Sequence, residues 1–163
     1  MNKLLLVPII LASMFIAQVQ AATVEIEWFE PEHYRDIKVA NGGKKAFQER
    51  VFKDLESYFT EFAASLPEKQ VLKLKVTDID LAGDIKYMVG PNNQTMRVIS
   101  DLYFPRMKFS YQLTEGVKVL QSGEENIKDM GFNMSSAHHN RDSFYYEKEM
   151  IKDWFEDTFN NEQ

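Results

Sequence analysis

Residues 44–66 constrain this chain more than any other segment. Phe47, Val51, Leu55, Tyr58, Phe62 and Leu66 recur at intervals of three and four, and Phe52 and Phe59 broaden the stripe. That period puts them on one face of a helix, and a stripe this wide and aromatic has to be covered. Pro67 ends the run, because proline has no N–H for the helical ladder and its ring clashes with the preceding turn. Most helical stability in proteins comes from packing an amphipathic face, not from propensity. The rest of the chain must therefore supply an apolar surface, and it does so in strands.

In residues 23–29, Val24, Ile26 and Trp28 alternate with Glu25 and Glu27, the pattern of a half-buried strand, and Pro31 closes it. Residues 71–76 repeat the pattern, with Leu72, Leu74 and Val76 opposite Lys73 and Lys75. The parity then reverses. Asp78 and Asp80 fall where the apolar residues were, and Ile79 and Leu81 take the other face, which predicts a bulge or a strand end. Residues 96–102 and 107–113 are strand-like, the latter with Met107, Phe109, Tyr111 and Leu113 on one face. Glu115-Gly116 predicts a hairpin turn into residues 117–127, and Gly90-Pro91-Asn92-Asn93 predicts another turn. Pro105 belongs at an edge or bend. Residues 33–41 read as a connection and residues 130–140 as a polar loop. A second helix spans 144–159, burying Met150, Ile151, Trp154, Phe155 and Phe159, with Asp142-Ser143 offering its N-cap. The order β-α-β-β-β-α predicts an α+β fold: an antiparallel or mixed sheet of about five strands with two helices packed on one face.

Residues 1–21 carry a different signal. Lys3 precedes an apolar run over 4–19, and the small residues Val19 and Ala21 stand at minus three and minus one of a cleavage site. This is the pattern of a secretory signal peptide cut after Ala21. It leaves residues 22–163 as a single globular domain, periplasmic or secreted. The apolar run is interrupted by Pro8 and is short for a membrane span, so no stable membrane insertion is expected after cleavage. The chain has 25 acidic against 19 basic residues, a net charge of −6, and the leader removes one lysine and no acid. That balance argues against nucleic acid as a partner, since backbone phosphates require basic surface. Cysteine is absent. A lipid anchor at the cleavage site, thiol nucleophiles, Cys-ligated zinc and disulfide redox chemistry are thereby excluded.

Few residues point to chemistry. Asp78, Asp80 and Asp84 lie within seven positions and could hold a hard divalent cation, Ca²⁺ or Mg²⁺. Their spacing departs from an EF-hand loop, and acids that cap a turn at a strand end explain them better. His138-His139, with His33 far upstream, read as polar loop residues and not as ligands. Asn41-Gly42-Gly43-Lys44-Lys45 opens the first helix, where free N–H groups attract anions, but phosphate-loop spacing is missing. Arg97, Asp101, Arg106 and Asp129 could pair between strands. Neither a nucleophile elbow nor a zinc-protease motif occurs in the chain.

The mature chain resembles a proteobacterial family of secreted proteins, domain of unknown function 3016. The resemblance rests on Val24-Glu25-Ile26 leading to Pro31-Glu32, on Leu66-Pro67, and on Thr77-Asp78-Ile79-Asp80-Leu81-Ala82-Gly83. It continues through Arg97-Val98-Ile99 to Asp101, Pro105-Arg106, Asp129-Met130, and Tyr146-Glu147-Lys148 through Trp154-Phe155. Gly43-Lys44-Lys45-Ala46 departs from it, with lysines where the family is more Arg-rich. The resemblance implies an exported bacterial protein and brings no activity, substrate or cofactor.

The expectation is therefore an exported, soluble, non-enzymatic envelope protein, an accessory or binding domain without a cofactor or bound metal. Its partner would be another envelope protein or a small ligand, and its working surface would lie where Asp78, Asp80 and Asp84 meet Arg97, Asp101 and Arg106. The alternative is a divalent-metal-assisted hydrolase using Asp78, Asp80 and Asp84.

Overall fold

The computed structural model describes residues 22–89, 91–134 and 143–160. In chain order these form β1 (Thr23–Trp28), a 3-10 turn (Pro31–His33), α1 (Lys44–Ala63), β2 (Gln70–Asp80), β3 (Asp84–Val89), β4 (Gln94–Val98), β5 (Arg106–Glu115), β6 (Lys118–Lys128), α2 (Tyr145–Phe155) and a π turn (Glu156–Asn160). The α+β class stands, but the strands differ from the expected set. Among the described residues there are six, not about five, and they form two sheets: a mixed sheet ordered β1-β2-β5-β6 and a separate ladder of β3 and β4. The order is thus β-α-β-β-β-β-β-α.

β1 runs parallel to β2, with Ile26 beside Leu74, whereas β2–β5 and β5–β6 are antiparallel. A parallel pair needs a long crossover, and α1 is that crossover. Val24, Ile26, Trp28, Leu72, Leu74, Val76, Phe109 and Tyr111 all belong to the core, on one face of the mixed sheet. Val51, Leu55, Phe59 and Ala63 of α1 and Met150, Ile151, Trp154 and Phe155 of α2 cover it. Trp28 stacks on Phe52 at 4.4 Å. Trp154 is the hub, set edge-on to Phe109 at 4.8 Å, Tyr111 at 5.4 Å and Phe59 at 6.1 Å. The opposite face is polar, with Lys73 3.1 Å from Glu25 and Lys75 3.1 Å from Glu27. Exposed pairs of this kind add little stability and chiefly keep the face wet.

The parity switch in β2 is a bulge. Register shifts between Val76 and Asp78, leaving Thr77 as the extra residue. Ile79 therefore returns to the core, fully buried, while Asp78 and Asp80 face away from it. β3 escapes sequence reading because, apart from Ile85, its apolar residues are not buried: Tyr87 and Met88 are 75% and 79% exposed. The run read as 96–102 stops at Val98, and Tyr103 then closes a turn onto Ser100. α1 ends at Ala63, with Leu66 buried in the turn that follows. The N-cap of α2 is Phe144, in a left-handed conformation with no side-chain cap, and Asp142 lies outside the described residues. Among the described residues no helix is long and apolar enough to cross a membrane.

Gly123 on β6 faces Tyr111 across the β5–β6 ladder. A Cβ there would stand 2.8 Å from the Tyr111 ring, and that ring is held edge-on by Trp154 and Phe159. Gly123→Ala should therefore destabilise the fold by roughly 1–3 kcal/mol, as overpacking does, when measured by urea unfolding. The same substitution in a Tyr111→Leu background should cost much less. Equal costs in the two backgrounds would show that the ring is not what forbids a side chain.

Candidate functional site

Asp36 lies in the chain between β1 and α1, where its N–H donates to Ile79 O at 3.0 Å and its carbonyl accepts the Leu81 N–H at 3.1 Å. Residues 36–38 thereby form a strap across the end of β2, and Asp36 is held buried. Arg97 of β4 reaches back to it. One guanidinium nitrogen donates to Asp36 Oδ2 at 3.0 Å, and the other to Asp36 Oδ1 at 3.3 Å. The same group donates to the carbonyls of Lys38 at 3.0 Å, Gly83 at 3.0 Å and Ala82 at 3.3 Å. A planar fork of fixed donors matches a carboxylate and several carbonyls at once, which the point charge of a lysine does not.

The turn that Arg97 holds requires glycine. Gly83 has φ +78°, and a Cβ on it would meet Val98 O at 2.6 Å. Its N–H donates to Tyr103 O at 2.8 Å. Asn41 adds a second tie between the strap and β4, donating to Thr95 O at 2.7 Å.

Between the strap, the Leu81-Ala82 end of the turn and the start of α2 lies a cleft of about 510 Å³. Its deep side is formed by Leu81, Ala82 and Glu147, all buried. Its walls include Ile99, Phe47, Phe144 and Tyr146. Arg50 lines it from the surface, with its guanidinium 5.3 Å from the centre of the Phe47 ring and 5.9 Å from that of Phe144. Arg50 has no acidic partner among the described residues. The volume and the mixture of apolar walls with a few polar groups are those of a small-molecule site.

Glu147 is the least expected residue here. It stands in the first turn of α2, is 3% exposed, and accepts the Ala82 N–H at 2.7 Å. Burial pushes its carboxyl above the usual carboxylate range, against the lowering effects of that N–H, its own N–H and the Arg97 charge. Sequence reading passed over it, yet a signal was present. Position 147 precedes Met150, Ile151 and Trp154 by three, four and seven residues, so it sits on the apolar stripe of α2.

The sequence-derived residues divide. Of Asp78, Asp80, Asp84, Arg97, Asp101 and Arg106, Arg97 alone lines the cleft, and Asn41 from the start of α1 joins it there. Asp78 accepts the Arg35 N–H at 2.8 Å. Asp80 Oδ2 lies 3.2 Å from Arg106 Nε and 3.6 Å from Arg35, as ion pairs. Burial raises the Asp80 carboxyl, and both arginines oppose that rise. Asp84 is held by Lys86 at 2.8 Å, whose hydrogen bond lowers its pKa. Asp101 accepts from Asn133 Nδ2 at 2.6 Å. The three acids therefore do not converge, and among the described residues no group of three or more His, Asp or Glu could hold a metal ion. Nor do Arg97, Asp101, Arg106 and Asp129 pair with one another: Asp129 accepts the Gly131 N–H at 2.9 Å instead. His33 pairs with Glu30 at 3.4 Å, and His138 and His139 lie outside the described residues.

Breaking a buried ion pair from one side leaves an uncompensated charge and costs roughly 3–5 kcal/mol. Because the Arg97 and Asp36 side chains keep 19% and 11% exposure, Arg97→Met and Asp36→Asn should each fall at about the lower end of that range. The double variant should cost well under their sum, a coupling that a double-mutant cycle in urea measures; strict additivity would mean the pair is not a unit.

Folding raises the Glu147 pKa, so its contribution to stability is complete below the unfolded carboxylate range. It declines as pH rises through the folded pKa. Glu147→Gln keeps an oxygen for the Ala82 N–H and removes the ionisation. The variant should gain stability relative to the native chain as pH increases from about 4, then level off once the native carboxyl is ionised. A stability difference that stays constant from acid to neutral pH would contradict the raised pKa.

The family model described as "Protein of unknown function (DUF3016)" matches residues 22–157. No curated protein and no solved structure matches the chain. The match covers nearly all the described fold, including both strap and cleft, and the chain belongs to the DUF3016 family.

Proposed function

We propose that this chain is an exported, non-enzymatic binding domain of the bacterial envelope, taking a small ligand in the cleft between the strap and α2. The observation that carries the reading is the cleft itself: a cavity of about 510 Å³, with apolar and aromatic walls and converging polar groups. Its rim is held by Arg97 through five donor–acceptor contacts, so the site is formed before any ligand arrives. A preformed cavity avoids the ordering cost that weakens mobile sites. Export is supported by the positive start, apolar run and small residues that precede Ala22, and by an acidic surface suited to solubility.

Two measurements test the two halves. The intact mass of the protein from a periplasmic fraction should correspond to residues 22–163; full-length chain confined to the cytoplasm would refute export. Saturation-transfer NMR with a chemically diverse fragment set should find binders to the native chain that Ala40→Trp, which places an indole in the cleft wall, no longer engages. Fragments that bind both proteins equally, or none that bind either, would remove the cleft as a ligand site.

A further inference from the structure

The polar groups of the cleft are unequal, and that inequality specifies a ligand. Arg97 is fully engaged: every guanidinium contact goes to Asp36 or to a backbone carbonyl. Using it for a ligand would strand a buried carboxylate, at a cost no weak contact offsets. Arg50 is the opposite case. It is solvent-exposed at the mouth, oriented by the Phe47 and Phe144 rings, and has no acidic partner among the described residues. The mouth is also cationic beyond Arg50. Lys38 lines it; Lys44, in the first turn of α1 beyond Asn41, adds charge nearby, while Lys45 is paired with Glu49 at 3.9 Å. On a chain with net charge −6, this is a local reversal of sign.

The interior has the opposite character. Leu81, Ala82, Ile99 and Tyr146 present hydrocarbon and ring surface. The carboxyl at the deep end, Glu147, lies away from the mouth and already accepts the Ala82 N–H, and burial disfavours its charged form, which weakens its repulsion of an anion seated at the mouth. We propose that the cleft takes an amphiphilic organic anion, its apolar or aromatic body inside and its carboxylate- or sulfonate-like group against Arg50. This rests on the cleft being a ligand site, and narrows that site to a chemical class.

Fluorescence titration with two probes tests it: anilinonaphthalene sulfonate, and the uncharged N-phenylnaphthylamine, which shares its ring system. The sulfonate should bind the native chain and lose at least about tenfold in affinity in Arg50→Gln, the usual effect of removing a charged hydrogen-bond partner. Arg50→Lys should retain most of that affinity, added salt should weaken the sulfonate alone, and the neutral probe should not respond to Arg50→Gln. Arg50 is exposed and makes no ion pair among the described residues, so urea midpoints of these variants should stay close to the native chain's, lowered only by the loss of its exposed ring contacts. If both probes bind and Arg50→Gln affects neither, the anion class is wrong while the cleft remains a ligand site. If neither binds, or if Ala40→Trp leaves both affinities unchanged, the cleft reading fails and this inference fails with it.

Discussion

The fork of Arg97 on Asp36 determines where the smaller sheet sits. A two-stranded ladder has little core and is marginal in isolation, and β3–β4 buries few side chains, chiefly Ile85. What fastens it to the mixed sheet is a set of directional contacts. Arg97 spans from β4 to the strap and the Ala82-Gly83 turn, Asn41 meets Thr95, and Gly83 donates to Tyr103. A hydrophobic contact could slide by an ångström at small cost; a guanidinium matched to one carboxylate and three carbonyls cannot. The cleft inherits that precision, because strap and turn form two of its sides.

Three acids within seven residues point in different directions for a local reason. Asp78 and Asp80 follow the bulge at Thr77, which turns both away from the core and toward Arg35 and Arg106. Asp84 lies beyond the Gly83 turn, at the start of β3, beside Lys86. Between Asp80 and Asp84 the chain leaves one sheet and enters the other. Closeness in sequence thus spans a boundary between two bodies of structure, and a metal site read from spacing alone has no place to assemble.

Periodicity carried most of the main sheet and both helices, since burial on one face imprints a period of two or 3.6 directly on residue choice. The bulge was readable for the same reason, as a change of parity after Val76. Pairing was not. That β1 lies parallel beside β2, and β5 on the other edge of β2, depends on contacts far apart in the chain. β3 left little imprint because Ile85 is the one apolar side chain it buries. The site was harder still. Asp36 and Glu147 are acids whose partners come from 61 and 65 residues away in sequence, and an acid without a visible partner reads as solvent-facing. Glu147 could have been suspected from its place on the α2 stripe. Arg50, three residues after Phe47, had no comparable mark, because its partners are rings that also belong to the core pattern.

Stability and recognition are separated within this cleft, and the separation follows from burial. The deeper arginine is matched to acceptors on every side, so any ligand that drew on it would compete with the contacts that define the rim. The exposed arginine makes no ion pair among the described residues and rests only on the Phe47 and Phe144 rings, so it can take a new partner at little cost to the fold. Glu147, between the apolar wall and the turn, sets the same division electrostatically. Burial disfavours charge on its carboxyl, and the charge of Arg97 is paired with that of Asp36. The positive charge that remains lies at the mouth, where Arg50 and Lys38 stand. A ligand of the proposed class would thereby be oriented before it makes a close contact: apolar end inward, negative end outward.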